Sequence, residues 1–294
     1  MTTQTKPLSF HEIDDLGFAA LSSRLNISNL PASYRSFSLG PLMELLHLVG
    51  AGLLPDPLAG KWLALNGAAA LVNAIQGGHD YWVCTKTGRM GTLRTARSGA
   101  SADDQLTAFL MHAKRAAKEV AKLPGSTPGQ LAAALGEMES NIHEHSKSPS
   151  TGILAFRATK GVFEFVAADH GIGVLASLQS NSDFADLADH GQALQLALSE
   201  GVSRFGASSS RGHGFRPLFL GLMNLQGFLR FRSGNQALIL DGSSVNLATA
   251  GVLQKPPVDG FFVSVQVTTA TGSPASPMLP HEEGQDPRSK STAP

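Results

Sequence analysis

The sequence predicts an α+β fold: a two-layer sandwich with helices on one face of a mixed, mainly antiparallel sheet, preceded by a smaller αβ region. Three observations predict it. Two helical segments follow one another between residues 102 and 146. Strand-like runs then come in clusters instead of alternating one for one with helices. Finally, 42% of the 294 residues are hydrophobic, enough for a sizeable core, while no uninterrupted apolar run reaches the length of a membrane span.

The first hundred residues carry no motif. The stretch from Leu39 to Ala70 is rich in Leu, Ala and Gly but broken by Glu44, His47, Pro55, Asp56, Pro57 and Lys61, which reads as short buried helices. "WLALNGAAALVNAIQGG" and "DYWVCTKT" add an αβ mixture, and residues 1–10 read as loose. Residues 1–100 are therefore taken as one αβ region of unassigned role. "SGAS" (Ser98 to Ser101) marks a change of character.

The helix that follows, "ADDQLTAFLMHAKRAAKEVAKL", has acids in its first turn and lysines in its last, as the helix dipole favours. "PGSTPG" breaks it. A second helix is expected over Gln130 to Ser146, with Leu131, Leu135, Met138 and Ile142 spaced by four, three and four as one buried stripe. "GILAFRAT" and "GVFEFVAAD", parted by Lys160 and Gly161, read as a hairpin. Leu175 to Glu200 is helical or irregular. A Gly/Ser/Arg loop and an apolar helix, "FRPLFLGLMNLQ", lead to three strands, "GFLRFRSG", "QALILDG" and "GFFVSVQV". Residues 101–271 thus form the main domain. Residues 272–294, rich in Pro, Ser and Gly, cannot offset their ordering entropy and are expected to be a disordered tail.

Charge and cysteine content narrow the function. With 23 basic and 23 acidic residues there is no global electrostatic case for nucleic acid. The lone Cys84 excludes an internal disulfide and makes a reducing compartment the default. The N-terminus lacks the pattern of a signal peptide, so a cytoplasmic location without membrane attachment is expected.

Three polar constellations stand out. In "EMESNIHEHS", Glu137, Asn141 and His145 are four residues apart and share one stripe beside the apolar one, while Glu139, His143 and Ser146 point elsewhere. In "AADHGIGV", Asp169 is followed by Gly171 and Gly173, so the chain turns sharply and a backbone can approach a planar ligand whose amino group the carboxylate accepts. In "SSSRGHGF", Gly212 and Gly214 flank His213 ahead of a helix, which suits phosphate, with Arg211 and Arg204 adding charge. Each has a plain alternative: a solvated helix edge, an Asp-capped tight turn, a flexible glycine loop.

Their order changes the weighting. ExxxNxxxH on a helix, a hairpin, DxGxG, a long variable stretch, a GxG turn into a helix and closing strands resemble the Bergerat-fold ATPases, the group of DNA gyrase and the histidine kinases. The resemblance covers about residues 103–270, and its ExxxNxxxH box is most similar to that of the anti-sigma-factor serine/threonine kinases. It implies that Asn141 ligates a Mg²⁺ bridging ATP phosphates and that Glu137 is the general base. It further implies that His145 completes the box, that Asp169 with Gly171 and Gly173 reads adenine, and that Arg211, Gly212, His213 and Gly214 cradle phosphates. Residues from about 190 to 211 would form a mobile lid. Phe215 and Arg216 depart from the family's second glycine box. The implied activity is ATP hydrolysis or phosphorylation of a protein partner on Ser/Thr. The alternative is a nucleotide-gated protein-binding switch with little turnover; a homodimer stays open.

Other chemistries fit worse. His112 lacks the neighbours of a phosphoacceptor histidine, so a sensor histidine kinase is disfavoured. His143 and His145 lie about 200° apart on a helix and cannot share one metal ion. The sequence has neither a Walker A run nor a G-x-S-x-G elbow.

Overall fold

The computed structural model describes residues 4–25, 32–96, 102–198, 227–240 and 251–269. The chain opens with β1 (Gln4–Pro7), α1 (Phe10–Leu21), β2 (Ala32–Ser36), α2 (Leu39–Gly50), β3 (Leu63–Leu65) and α3 (Ala69–Gln76). Its three strands form a parallel sheet in the order β1-β2-β3, with a helix in each connection. The second sheet combines β4 (Tyr81–Val83), β5 (Met90–Arg94), β6 (Ile153–Thr159), β7 (Val162–Asp169), β8 (Phe228–Leu240) and β9 (Gly251–Thr268). Its order is β4-β5-β6-β7-β9-β8, antiparallel at every pair. Helices α4 (Ala102–Glu119), α5 (Thr127–His145), α6 (Gly173–Gln179) and α7 (His190–Ala197) complete the α+β architecture.

Period-2 alternation sorts the six-stranded sheet into two faces. Leu154, Phe156, Phe163, Phe165, Ala167, Phe231, Phe261 and Val263 point to the front, where they pack with Phe109 of α4 and with Leu131, Leu135, Met138 and Ile142 of α5. All four members of the expected α5 stripe are at most 2% exposed. Ala155, Val166, Ala168 and Phe262 point to the back and meet Leu39 and Met43 of α2 and Leu71 of α3. The N-terminal region therefore lies against the sheet's second face.

That back contact is tied by polar groups. Glu164, from the sheet, accepts the Leu39 N–H at 2.9 Å and so caps α2, whose Ser38 makes no side-chain cap bond. An Arg157 N–H donates to the Phe37 carbonyl at 2.9 Å. Arg230 and Arg232, adjacent on the back of β8, are at most 1% exposed. Arg230 bonds Asp14 of α1 at 2.5 Å and Glu44 of α2 at 2.9 Å; Arg232 bonds Glu44 and the Pro256 carbonyl. Lys255 pairs with Asp14 at 2.6 Å. Burial opposes the charge on Glu44, but Arg230 and Arg232 outweigh it and hold the carboxyl below its usual range.

Several boundaries differ from the sequence expectation. The six-stranded sheet begins ahead of residue 100, because Met90–Arg94 of β5 pairs with Arg157–Ile153 of β6. "GFLRFRSG" and "QALILDG" are one strand, not two: Gly234, at φ +58°, sits at a bulge in the β8–β9 ladder and not in a turn. The bulge also switches which residues face front, from Leu229 and Phe231 before it to Leu238 and Leu240 after it. Residues 4–10 are ordered, since β1 pairs with β2 and the Ser9 hydroxyl caps α1 at the Glu12 N–H, 3.2 Å. The expected linker at 98–101 and tail at 272–294 lie outside the described residues.

Candidate functional site

The predicted stripe sits on the C-terminal half of α5. Asn141 is 8% exposed, and Glu137 and His145 are half-buried at its sides. Asp169 ends β7 opposite Phe261 of β9, on the same front face as Phe163, Phe165 and Ala167. The turn that follows docks on the end of α5: the Ile172 N–H donates to the Ser146 carbonyl at 3.0 Å. Ser177 Oγ of α6 lies 3.4 Å from His145 Nδ1. The structure thus brings the C-terminal end of α5, His145 and Ser146, against the turn that follows Asp169 and against α6.

The glycines of the turn answer to the protein's own packing. A Cβ on Gly171 would stand 2.7 Å from the Ser146 Cβ. Gly173 takes φ +76°, and its Cβ would stand 2.8 Å from Ser233 Oγ. Ser233 in turn accepts from the Val174 N–H at 2.9 Å and donates to the Gly260 carbonyl at 2.8 Å, which locks α6 to β8 and β9.

Asp169 is 1% exposed. Its Oδ1 accepts the Gly171 N–H at 2.6 Å. Burial pushes its carboxyl up to about 7, and this N–H offsets only part of the shift. Asp169 Oδ2 and Asn141 Nδ2 are both buried and have no hydrogen-bond partner among the described residues. They are two of nine such atoms among the described residues, and the two that fall on the predicted stripe and turn.

Some features escape the sequence reading. Glu139, expected to point away from the stripe, is 1% exposed, and His143 Nε2 lies 3.2 Å from its carboxylate. Their spacing of four was visible; their burial was not. His47 of α2 stacks flat on His170, with ring centroids 4.0 Å apart and planes 6° apart. No local pattern links residues so distant in sequence.

Arg204, Arg211, Gly212, His213 and Gly214, and residues 199–211 of the expected lid, lie outside the described residues. Among the described residues no group of three or more His, Cys, Asp or Glu could hold a metal ion, and no helix is long and apolar enough to cross a membrane. No protein family matches the chain, and no curated protein or solved structure is found to be similar to it.

Proposed function

We propose that the chain is a Mg-ATP-binding regulatory protein with a Bergerat-type domain, which hydrolyses ATP or phosphorylates a partner protein on Ser/Thr. The observation that carries this reading is the pair of buried, unpartnered polar atoms on Asn141 and Asp169. They belong to two of the residues that the motif order singles out for the cation and the base. The α+β architecture, with its front-face helices over an antiparallel sheet, is compatible with that fold.

The residues suit the group they would hold. Asn141 would offer its carbonyl oxygen Oδ1 to Mg²⁺, while its unpartnered Nδ2 is a donor that a phosphate oxygen would take; Mg²⁺ takes its remaining ligands from phosphates and waters, so no carboxylate cluster is required. Bound Mg²⁺ would supply charge neutralisation of the phosphates. Asp169 Oδ2, free at the floor of the turn, would accept an N–H from adenine's amino group. Glu137, one helical turn before Asn141 and half-buried, would take a proton from a water or a hydroxyl. As an acceptor Asp169 must be ionised, so nucleotide affinity should rise with pH as the carboxyl titrates near 7.

A switch with little turnover is the second reading, and the contact of α1 and α2 with the sheet's back favours it, since that contact joins the site domain to a further region. Calorimetric titration with a non-hydrolysable ATP analogue, with and without Mg²⁺, tests the site. Mg-dependent binding is expected in the wild type and not in Asn141→Ala or Asp169→Ala. Folded wild-type protein that binds nothing would sink the reading. Phosphate release and transfer to protein by the wild type, compared with Glu137→Ala, separates enzyme from switch.

A further inference from the structure

The sheet alternation puts Asp169 on the front face, but the next residue, His170, turns to the back, where α2 lies. There His47 stacks on it, with centroids 4.0 Å apart and planes 6° apart. His47 is 6% exposed and also reaches the other strand beside the site: its Nε2 is 3.3 Å from the Asp259 carbonyl. Asp259 precedes Gly260, which at φ +69° packs its backbone so closely on Asp169 that no side chain fits there. His47 therefore touches the ring of the residue after Asp169 and the backbone carbonyl of the residue before Gly260. Gly50, one turn further along α2, leaves the space that His170 occupies; a Cβ there would stand 3.1 Å from His170 Nε2. On its other side, the His170 N–H is fixed by Thr151 Oγ1 at 3.0 Å.

Two imidazoles stacked this closely cannot both carry charge at low cost. Burial, reinforced by the neighbouring His170, pushes His47 down to about 3, and burial lowers His170 as well. The pair is a flat contact, buried at His47 and half-buried at His170. Nothing in the proposed chemistry at Glu137, Asn141 or Asp169 uses it directly.

We propose that His47 is a positioning residue for Asp169: through His170 and Asp259 it fixes the carboxylate that recognises the nucleotide base, making α2 of the N-terminal region part of the recognition apparatus. The inference rests on the reading of Asp169 as that carboxylate. Its consequence is regulatory. A displacement of α2 reaches the Asp169 end of the site through these two contacts, so the N-terminal region controls base discrimination.

The test compares ATP with inosine triphosphate, which carries an oxygen where adenine has its amino group, by calorimetry on full-length protein. Wild type should prefer ATP. His47→Ala should reduce that preference at least about five-fold, the range of coupling between linked sites. His47→Phe, which keeps a flat ring on His170, should recover most of it. Gly50→Ala, which crowds His170 from the same helix, should also reduce it and decides the matter if His47→Ala fails to fold. A His47→Ala variant that melts lower yet keeps the wild-type ATP preference overturns the inference, as does a Phe variant no better than Ala. Wild-type protein that binds neither nucleotide, or does not distinguish them, overturns instead the reading of Asp169 on which the inference stands.

Discussion

The two faces of the six-stranded sheet are held by different physics. On the front, α4 and α5 cover the sheet with Phe, Leu, Ile, Met and Ala, a continuous apolar core. On the back, α1 and α2 bring Asp14 and Glu44 against Arg230 and Arg232, between two apolar clusters, one with Leu39, Met43 and Phe262 and one with Ile13, Leu45 and Val258. Apolar burial stabilises in proportion to area and is tolerant of orientation. A buried ion cluster adds little net stability once desolvation is counted, but it is intolerant of any arrangement that leaves one charge unpaired. The front face is built to be stable. The back face adds to its apolar contacts an ion cluster that fixes where α2 sits, and α2 carries His47.

The sharpest way to break this contrast is Glu44→Ala. It leaves Arg230 and Arg232 facing each other without their shared carboxylate, and a loss of about 3–5 kcal/mol in urea unfolding is expected. Replacing Glu44, Arg230 and Arg232 together by Met, Leu and Leu should restore most of that loss, because Asp14 keeps Lys255 as its partner. A triple variant as unstable as Glu44→Ala would mean that the ions themselves hold the back face. On the front face, Leu135→Ala removes a fully buried side chain and should cost about 2–4 kcal/mol, as cavity formation requires, without altering the α1–α2 contact.

A smaller effect should come from Asp169. Its carboxyl titrates at about 7 in the folded protein against 3.8 for an ordinary aspartate. Between those values the unfolded chain releases a proton that the folded chain keeps. Stability therefore falls as pH rises through this window and levels off above about 7. Asp169→Asn should flatten that part of the profile and be more stable than wild type at pH 8, by at most about 4 kcal/mol and in practice less. Glu164, also pushed up to about 7 by burial, leaves a residual slope of the same sign. Equal pH profiles for variant and wild type would mean that Asp169 is well solvated. The smallest effect belongs to the surface: Arg115→Ala breaks an exposed pair with Glu119 and should change stability by less than about 0.5 kcal/mol.

A gain of stability on removing Asp169, if accompanied by loss of nucleotide binding, would mark the carboxylate as retained for function at a cost to the fold. The same comparison separates what was legible in the sequence from what was not. The α5 stripe, the β6–β7 hairpin and the α4 helix follow from local periodicity and end signals, since each is decided by neighbours within one or two turns. The stripe of Glu137, Asn141 and His145 was legible for the same reason. The burial of Glu139 was not legible, because spacing gives direction around a helix axis but not how widely the surroundings close over it. The β8 strand was read as two because a glycine in a strand signals a bulge or a turn equally well, and only the partner strand decides.

By itself, then, the sequence determined the helices and strands of the front layer and the order of the polar residues at the candidate site, because hydrophobic periodicity and turn chemistry act over a few residues. The tertiary structure alone decided that β4 and β5 join the main sheet, that two arginines on β8 are buried instead of solvated, and that His47 lies on His170. Each of these depends on which surface is covered by a segment more than a hundred residues away or on pairing across a long connection. No local pattern encodes that: burial and partnering of a polar side chain are properties of the packed chain, not of its neighbourhood in sequence.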